Sequence, residues 1–500
     1  MESTKKNVSA KKKTKKVFVS SSAKRKILMA SIISVIVLVC GGYFSYSIGL
    51  PAMVLSAGKI AGTDIKVDEF NYHFSEIFST YSQYGIIPED VDFDSVYDPT
   101  TGKTYREFLY EQTAAKIQNI ILLNEAAKKD GFKPQSVDRQ VDAYIESIRE
   151  YAKTYNRTAD QVLTSRYGRG ATVRSVMQYM SRELAAQEYS NYLRQTKFVL
   201  TQDDMLAMYD AAPSDYNKAS FHLYFFPGSS DATATDEEKA AALAQAKETA
   251  QGVIAAATDP KAFRDACKEA AGDMAETLFV DDADPTLQEN ITKSEVMTQN
   301  EALAEFLFSA DRVEGDKTSI ETEQGVYVVY FLSTQLDEIP VATYRSLSIP
   351  LNTKIDATAE EIQAELDAAK QTADGYMTKV TDENSFVSLV KKYADINSAS
   401  AGGYQDGVTA DSLVSEETTE ENAALSAWLF SDDRKAGDMT IIPGTYSVTL
   451  YYFVQTLPEW QATLMQTHIN TSYNAWMDAY MAEPGNGYTI NYDAIKFASY

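Results

Sequence analysis

The chain has 500 residues, a formal net charge of −25 and only three His and two Cys. So acidic a chain is a poor partner for nucleic acid or for an anionic membrane surface. Only Cys267 lies beyond the first 50 residues, so a fold held by internal disulfides is excluded and the chain needs ordinary hydrophobic cores.

The first 50 residues join a basic segment to an uncharged one. Residues 1–26 contain ten Lys or Arg and one acidic residue, and no charge occurs from Ile27 to Leu50. A helix of this length reaches about 36 Å, which is enough to cross a hydrocarbon core of about 30 Å. The pattern predicts a single-pass anchor in the cell membrane, with residues 1–26 cytoplasmic and the bulk of the chain extracytoplasmic. A cleaved signal peptide and lipidation at Cys40 are the alternatives.

Residues 58–70 are predicted to form a short strand and a turn that lead into a helix, and helical periodicity then dominates to about residue 210. The broadest apolar face is predicted at 105–129, ended by Gly131. Thr158 and Thr201 are predicted N-caps of later helices. The acidic loop 89–98 lacks the central Gly and the terminal Glu of a calcium loop, so we expect a solvated loop there. The region is predicted to be an all-α domain.

A long stretch of the chain occurs twice. Residues 219–263 align without gaps with 342–386 at an offset of 123, and 16 of 45 positions are identical. Residues 300–332 align with 422–454 at an offset of 122, and 15 of 33 are identical. Two copies of this length indicate tandem globular domains, because solenoid units are about 20–50 residues long and need three or more copies. Phe263 and Phe386 are equivalent, and we expect both in cores.

Each copy begins with a strand that ends at a Pro, followed by a long helix, a shorter helix, a helix ending in Leu-Phe-Ser and a last strand. After the second copy, residues 460–482 form another amphipathic helix, and an alternating segment closes the chain. The stripe of apolar residues on this last helix must be buried. We expect residues 460–500 to pack on the helical region and not on the second copy.

The order of these segments resembles exported foldases of the SurA/PrsA/PpiD type, which combine a helical chaperone domain with parvulin-like (PpiC) domains. The start at 59–70 is similar to the family's opening, and residues 348–351, the segment from Phe386 to Gly402-Gly403 and the turn at Gly437 are similar to parvulin elements. The resemblance implies an α+β fold with a transmembrane helix, an all-α chaperone domain, two parvulin-like domains and a C-terminal helix returning to the chaperone domain. The predicted boundaries are 1–26 (tail), 27–50 (anchor), 55–215 (chaperone domain), 216–338 and 339–458 (parvulin-like domains) and 459–500 (returning helix).

The resemblance also locates the catalytic positions. Parvulins rotate the X–Pro bond with a polar group formed by a first-strand His, an Asp or Cys after the Phe-containing helix and a last-strand His. In the first copy these positions hold Leu223, Asp273 and Tyr327. In the second copy they hold Ser346, Ile396 and Thr449. Since His222 is one residue away from Leu223, it is expected on the other face of the strand. Both sites are therefore predicted to be degenerate.

Other chemistry is not indicated. His73, His222 and His468 are far apart and show no metal-binding pattern at i+3 or i+4, so each is expected to be a packed or surface residue. Cys267 is expected to be a core thiol and not a nucleophile. We predict no cofactor and no metal. Many Tyr and Met residues in the helical region suit an adaptable surface for unfolded chains, although each single Tyr is expected to serve helix packing.

The sequence therefore predicts a membrane-anchored chaperone for unfolded or newly exported polypeptides, with inactive parvulin-like domains. An active peptidyl-prolyl isomerase is one alternative, and a scaffold of a secretion or cell-wall complex is another.

Overall fold

The structure, a computed structural model, describes residues 43–499 except 44, 89, 230–232, 281–283, 355 and 415–418. The chain divides into two compact units. The first contains residues up to 131, 138–186 and 480–500, and the second contains 132–137 and 187–479. Both units are built from segments that are far apart in sequence.

The first unit combines helices with two small antiparallel sheets. Its elements are α1 (Leu50–Val54), β1 (Ser56–Ile60), β2 (Thr63–Lys66), α2 (Val67–Gln83), β3 (Val96–Asp98), β4 (Lys103–Thr104), α3 (Tyr105–Lys129), most of α4 (Val137–Thr154), α5 (Ala159–Tyr167), the first part of α6 (Val173–Thr196), and, near the C-terminus, β13 (Tyr488–Ile490) and α19 (Tyr492–Ser499). Thr104 and Thr158 cap α3 and α5, each with its side chain accepting from the backbone N–H three residues on. The predicted N-cap at Thr158 is therefore confirmed.

The C-terminal segment completes the core of this unit. Strand β13 pairs with β1, which also pairs with β2. Gly58 is required there, because its φ is +150° and a Cβ would lie 2.0 Å from the carbonyl oxygen of Thr489. Ile495 of α19 is 1% exposed and packs in one core with Phe70 and Ile117. The prediction of an all-α domain is wrong, because β1, β2 and β13 form a three-stranded sheet inside it.

The predicted fold class needs a second correction. The described residues form an α+β structure with four small antiparallel sheets. Within them, no helix has the length and apolar character needed to cross a membrane. The transmembrane helix expected at 27–50 is therefore not part of the described fold. Most of that segment, residues 27–42 and 44, lies outside the described residues, and the segment's last residue, Leu50, begins the five-residue helix α1.

The second unit contains the two repeats. The first is formed by β5 (Asn217–Pro227), α8 (Asp236–Ala256), α9 (Pro260–Ala270), α10 (Ala275–Leu278), β6 (Leu287–Thr292), α11 (Lys293–Gln299), α12 (Glu301–Leu307), β7 (Lys317–Thr322) and β8 (Gly325–Leu336). The second is formed by β9 (Pro340–Pro350), α13 (Ala359–Met377), α14 (Glu383–Tyr393), α15 (Ile396–Ala401), β10 (Tyr404–Val408), α16 (Ala410–Leu413), α17 (Glu420–Leu429), β11 (Met439–Pro443) and β12 (Ser447–Pro458). The remaining elements are α7 (Gln202–Ala211) and α18 (Glu459–Met481), most of which belongs to this unit.

The two repeats have the same fold. Their sheets have strand orders β6-β5-β8-β7 and β10-β9-β12-β11, all antiparallel. Phe263 and Phe386 are both 0% exposed, as predicted. Arg312 donates to the carbonyl oxygen of Phe306 and to Asp316, and its counterpart Arg434 makes the same two contacts with Trp428 and Asp438.

Helix α18 packs against α7. Trp460 and Leu464 share a core with Met205, and partly buried Leu200 and Tyr209 pack against it. Thr201, the predicted N-cap of α7, accepts from the N–H of Asp204. The C-terminal residues thus contact the helical region, as expected. The exclusion of the second repeat was wrong, because Gln466 of α18 donates a hydrogen bond to Asp406 of β10.

Candidate functional site

The catalytic positions expected in the first repeat do not meet. Leu223 on β5 packs with the core under α11 and α12, on one face of the sheet. Tyr327 lies on β8 opposite Phe225, and strand alternation places it on that same face. Asp273 is exposed in a 3₁₀ turn that follows α9. Phe263 and Cys267 of α9 pack on the other face of the sheet. A combined site of these three residues is therefore not formed.

In the second repeat two of the three positions share a face of the sheet. Ser346 on β9 lies opposite Tyr451 on β12, two residues from Thr449. Thr449 is buried and donates to Glu421 of α17 at 3.4 Å, and Tyr451 donates to the same oxygen at 3.2 Å. Ile396 is the first residue of α15. The Ile396 side chain lies outside the described part of the structure. No imidazole is among these groups.

His222 is packed, as expected, and forms a buried polar group with Thr286 and Asp284 that the sequence did not indicate. Its Nδ1 lies 2.8 Å from the Thr286 hydroxyl, which donates to Asp284 at 2.6 Å. Because that hydroxyl gives its proton to Asp284, His222 is the donor in the first bond, with the proton on Nδ1. Burial lowers the pKa of His222 and outweighs the opposing effect of Asp284. The ring is a neutral, 5% exposed side chain beside Phe263.

Arg345 occupies the place of His222 in the second repeat. The offset of 123 relates the two residues, and they face Tyr330 and Tyr452, which are themselves equivalent. Arg345 donates to Glu383 at 2.7 Å, to the carbonyl oxygen of Gly402 at 3.0 Å and to Gln195 at 3.0 Å. Its side chain is 6% exposed. This position therefore supports structure in both repeats, with different chemistry in each.

The backbone geometry explains why the second residue of the Gly402-Gly403 pair must be a glycine. Gly403 has φ of +72°, and a Cβ there would lie 2.2 Å from the carbonyl oxygen of Ser346. Its own carbonyl accepts from the Ser346 N–H at 2.9 Å. In the first repeat the equivalent N–H, that of Leu223, donates to the backbone carbonyl oxygen of Thr286 at 2.7 Å. Thr286 takes the place of Gly403, and its hydroxyl then becomes the partner of His222.

Cys267 is a buried thiol in the first repeat, 0% exposed within the core that contains Phe263. Burial raises the pKa of this thiol to about 12. It is protonated at neutral pH and lacks the thiolate that a nucleophile needs.

A second polar group lies in the first unit, between α2, α3 and α6. The ammonium of Lys116 is 2.8 Å from Glu76 and 2.7 Å from Glu183. Tyr72 donates to Glu183 at 3.3 Å. His73, 1% exposed, lies beside both carboxylates. Burial opposes ionisation of Glu76, but His73 and Lys116 outweigh it and lower the pKa of Glu76 to about 2.

An aromatic cleft opens beside this polar group. Its volume is about 590 Å³, and it is lined by Phe74, Phe78, Tyr167, Lys116 and Arg166 together with Glu76 and small hydroxyl residues of α2. Phe74 and Phe78 are stacked, with ring centroids 6.2 Å apart, and both contact Phe93. Beyond the cleft, at the end of α2, Tyr84 is 75% exposed and Ile86 is 49% exposed. The lining of the cleft thus mixes three aromatic rings with charged and hydroxyl groups.

The sequence signals for the two polar groups differ in strength. The spacing His73-x-x-Glu76 places both side chains on one side of α2, although the sequence analysis found no metal-binding pattern there. Glu183, more than one hundred residues later, gives no local signal. The tyrosines were considered as a set, but of these only Tyr167 lines the cleft, and Phe74 and Phe78 were not among the residues considered.

Comparison with known proteins adds no identification: no family model matches the chain, and no curated protein matches it. The resemblance to exported foldases stays a prediction.

Proposed function

We propose that this chain is a chaperone that binds unfolded polypeptides in the aromatic cleft of its first unit. The observation that carries the proposal is the cleft itself, with partly exposed Phe74 and Phe78 along one wall. Stacked aromatic rings offer a large apolar contact with little loss of side-chain entropy, and they accept many different apolar side chains. The exposed Tyr84 and Ile86 extend the apolar surface beyond the cleft.

Charge narrows the class of client. The net charge of −25 favours neutral or basic unfolded segments and opposes acidic ones. The basic first 26 residues predict an extracytoplasmic location for the rest of the chain, so newly exported polypeptides are the clients we expect.

The repeats have a supporting part in this proposal. Both keep a closed core around Phe263 or Phe386, while their expected catalytic positions hold Leu223 and Ser346 in place of the first His. The one His on these strands, His222, is 5% exposed and packed against Phe263, so a proline ring has no direct access to it. In our proposal the repeats hold clients without isomerising them.

The test is suppression of aggregation. The full chain should delay the aggregation of a chemically denatured client at substoichiometric to equimolar ratios, and Phe78→Gln should weaken this effect at least severalfold. Phe497→Gln is the matched control, because Phe497 is 60% exposed in the same unit and does not line the cleft. Equal suppression by Phe78→Gln and the intact chain would contradict the role of the cleft.

A proline-isomerisation assay on the same preparations decides between the chaperone and the isomerase. We expect no rate above the uncatalysed rate of X–Pro isomerisation. Catalysis that is lost in Asp273→Ala or Tyr327→Phe would instead establish the isomerase alternative. A chain that neither suppresses aggregation nor isomerises would favour the scaffold.

A further inference from the structure

The polar group between α2 and α6 has the composition of a metal site. His73 and Glu76 lie three residues apart on α2, and Glu183 approaches them from α6. One ligand atom from each of these residues lies within 4.8 Å of the other two. One imidazole and two carboxylates form a donor set that suits a divalent transition metal such as Zn²⁺.

The His73 ring gives independent evidence for a missing ligand. Its Nδ1 is buried and has no hydrogen-bond partner. The Oε2 atoms of Glu76 and Glu183 lie 3.7 and 3.8 Å from it, both beyond hydrogen-bond range. The side chain is 98% buried and points its nitrogen between the two carboxylates. Buried polar atoms are nearly always paired in native proteins, so an atom aimed in this way calls for a partner.

The separations fit a shared cation. Two ligand atoms that each lie about 2.1 Å from a tetrahedral metal are about 3.4 Å apart. The two distances from His73 Nδ1 exceed this by only a few tenths of an ångström, and all three ligand atoms lie within 4.8 Å of one another. Rotamer adjustments of Glu76 and Glu183, both 20–30% exposed, can close that difference without moving either helix.

Lys116 is the competitor for this position, because its ammonium now bridges the two carboxylates. The two carboxylates and the one ammonium together carry one net negative charge. A divalent cation that replaced the ammonium would bring the charge to zero. The Lys116 side chain is 25% exposed on a flexible stem, so its ammonium can withdraw into solvent.

We propose that His73, Glu76 and Glu183 bind a Zn²⁺-like divalent transition metal in place of the Lys116 ammonium. Tyr72 donates to Glu183 and orients that carboxylate from outside the site. The inference concerns a ligand of the chain itself and is independent of the proposed chaperone function.

The experiment is a Zn²⁺ titration of the full chain, without an affinity tag and in a Cys40→Ser background, against a chromophoric chelator. Cys267 is a buried, protonated thiol and needs no change. We expect one Zn²⁺ per chain. His73→Ala and Glu183→Gln should each weaken binding by at least about tenfold, since even outer partners of a metal site are worth about 10- to 100-fold. His468→Ala is the matched control and should bind as the parent does.

Lys116→Ala gives the sharpest outcome. Removing the competing charge should tighten Zn²⁺ binding by about tenfold, although it breaks two ion pairs. Weaker binding in Lys116→Ala, unchanged binding in both ligand variants, or no binding by the parent would each overturn the proposal. Glu183→Gln is close in shape to the native residue, so it remains informative if His73→Ala fails to fold. A Zn²⁺-dependent rise in Tm that is smaller in Glu183→Gln than in the parent at the same Zn²⁺ concentration is the second readout.

Discussion

His222 and Arg345 occupy one position of a duplicated sheet and stabilise it in different ways. Each lies on the central strand that begins its repeat, across from Tyr330 or Tyr452. The imidazole is neutral and donates a hydrogen bond to one hydroxyl. The guanidinium instead donates to the side chains of Glu383 and Gln195 and to two backbone carbonyl oxygens. The duplication thus retained the sheet while its buried polar residue diverged.

Arg345→Lys should destabilise the protein by about 3 kcal/mol. A lysine keeps the charge but loses the planar fork that reaches Glu383, Gln195 and the carbonyl oxygens of Ala401 and Gly402 together. Urea unfolding gives the difference. Glu383→Gln is the control and should cost less than about 1 kcal/mol, because Glu383 is 40% exposed. A cost for Arg345→Lys as small as that of the control would contradict this account.

The pH dependence of stability should contain a contribution from His222. Its folded pKa is lowered by burial, so the unfolded chain binds the proton more readily. The contribution of His222 to the free energy of unfolding is therefore fully present above the pKa of the unfolded chain, about 6.5. It decreases as the pH falls below that value, by at most about 1.4 kcal/mol per pH unit.

The measurement compares urea midpoints of the parent and of His222→Gln from pH 7.5 to pH 5. The parent should lose more stability on acidification than the variant, which has no titrating group at this position. Parallel profiles for the two proteins would show that His222 does not contribute.

Phe263→Ala and Phe386→Ala should have equal effects. Both rings are 0% exposed, and each contacts the equivalent tyrosine, Tyr330 or Tyr452, at centroid distances of 5.9 and 5.3 Å. Truncation of a buried Phe costs about 3–5 kcal/mol. Tyr446→Ala, at a residue 80% exposed, should change the free energy of unfolding by no more than about 0.5 kcal/mol. A cost for only one of the two Phe variants would mean that the repeats differ in core packing.

The repeat fold could be predicted from the sequence because its signals are local and occur twice. The strands and the long helices follow from the periodicity of apolar residues. The helix starts follow from Thr or Asp residues whose side chains can accept from the backbone N–H three positions later. The register of Phe263 against Phe386 follows from the gapless offset. The second copy then confirms each assignment that the first one suggests.

The sheet of the first unit could not be found in this way. Strand β13 pairs with β1, and Lys59 and Thr489, which face each other, are 430 positions apart. A strand of only three residues shows too little alternation of apolar and polar residues for the sequence to indicate which strand it pairs with. The polar groups were missed for a related reason: Thr286 reaches His222 and Glu183 reaches His73 only through tertiary packing. The choice of Leu223 over His222 came from matching a family pattern, whereas the strand pairing shows which residue faces the Phe263 core.

Lys391→Met should be among the most destabilising single changes in the second unit. Lys391 pairs with Glu188 at 2.9 Å, and the Glu188 side chain is 0% exposed. Glu188 also accepts from the N–H groups of Gln135 and Ser136 and from the Ser136 hydroxyl. Removing the ammonium leaves a buried carboxylate without its countercharge, which costs about 3–5 kcal/mol.

A double-mutant cycle separates this charge effect from lost packing. Glu188→Gln removes the charge, and an amide oxygen in the place of Oε2 still accepts from both Ser136 donors. Combining Glu188→Gln with Lys391→Met should therefore recover part of the stability lost in Lys391→Met alone, with a coupling free energy above about 1 kcal/mol from urea unfolding. Strictly additive costs would show that Lys391 stabilises the unit through other contacts, such as that of its ammonium 5.7 Å from the centroid of the Phe132 ring, and not through the buried ion pair.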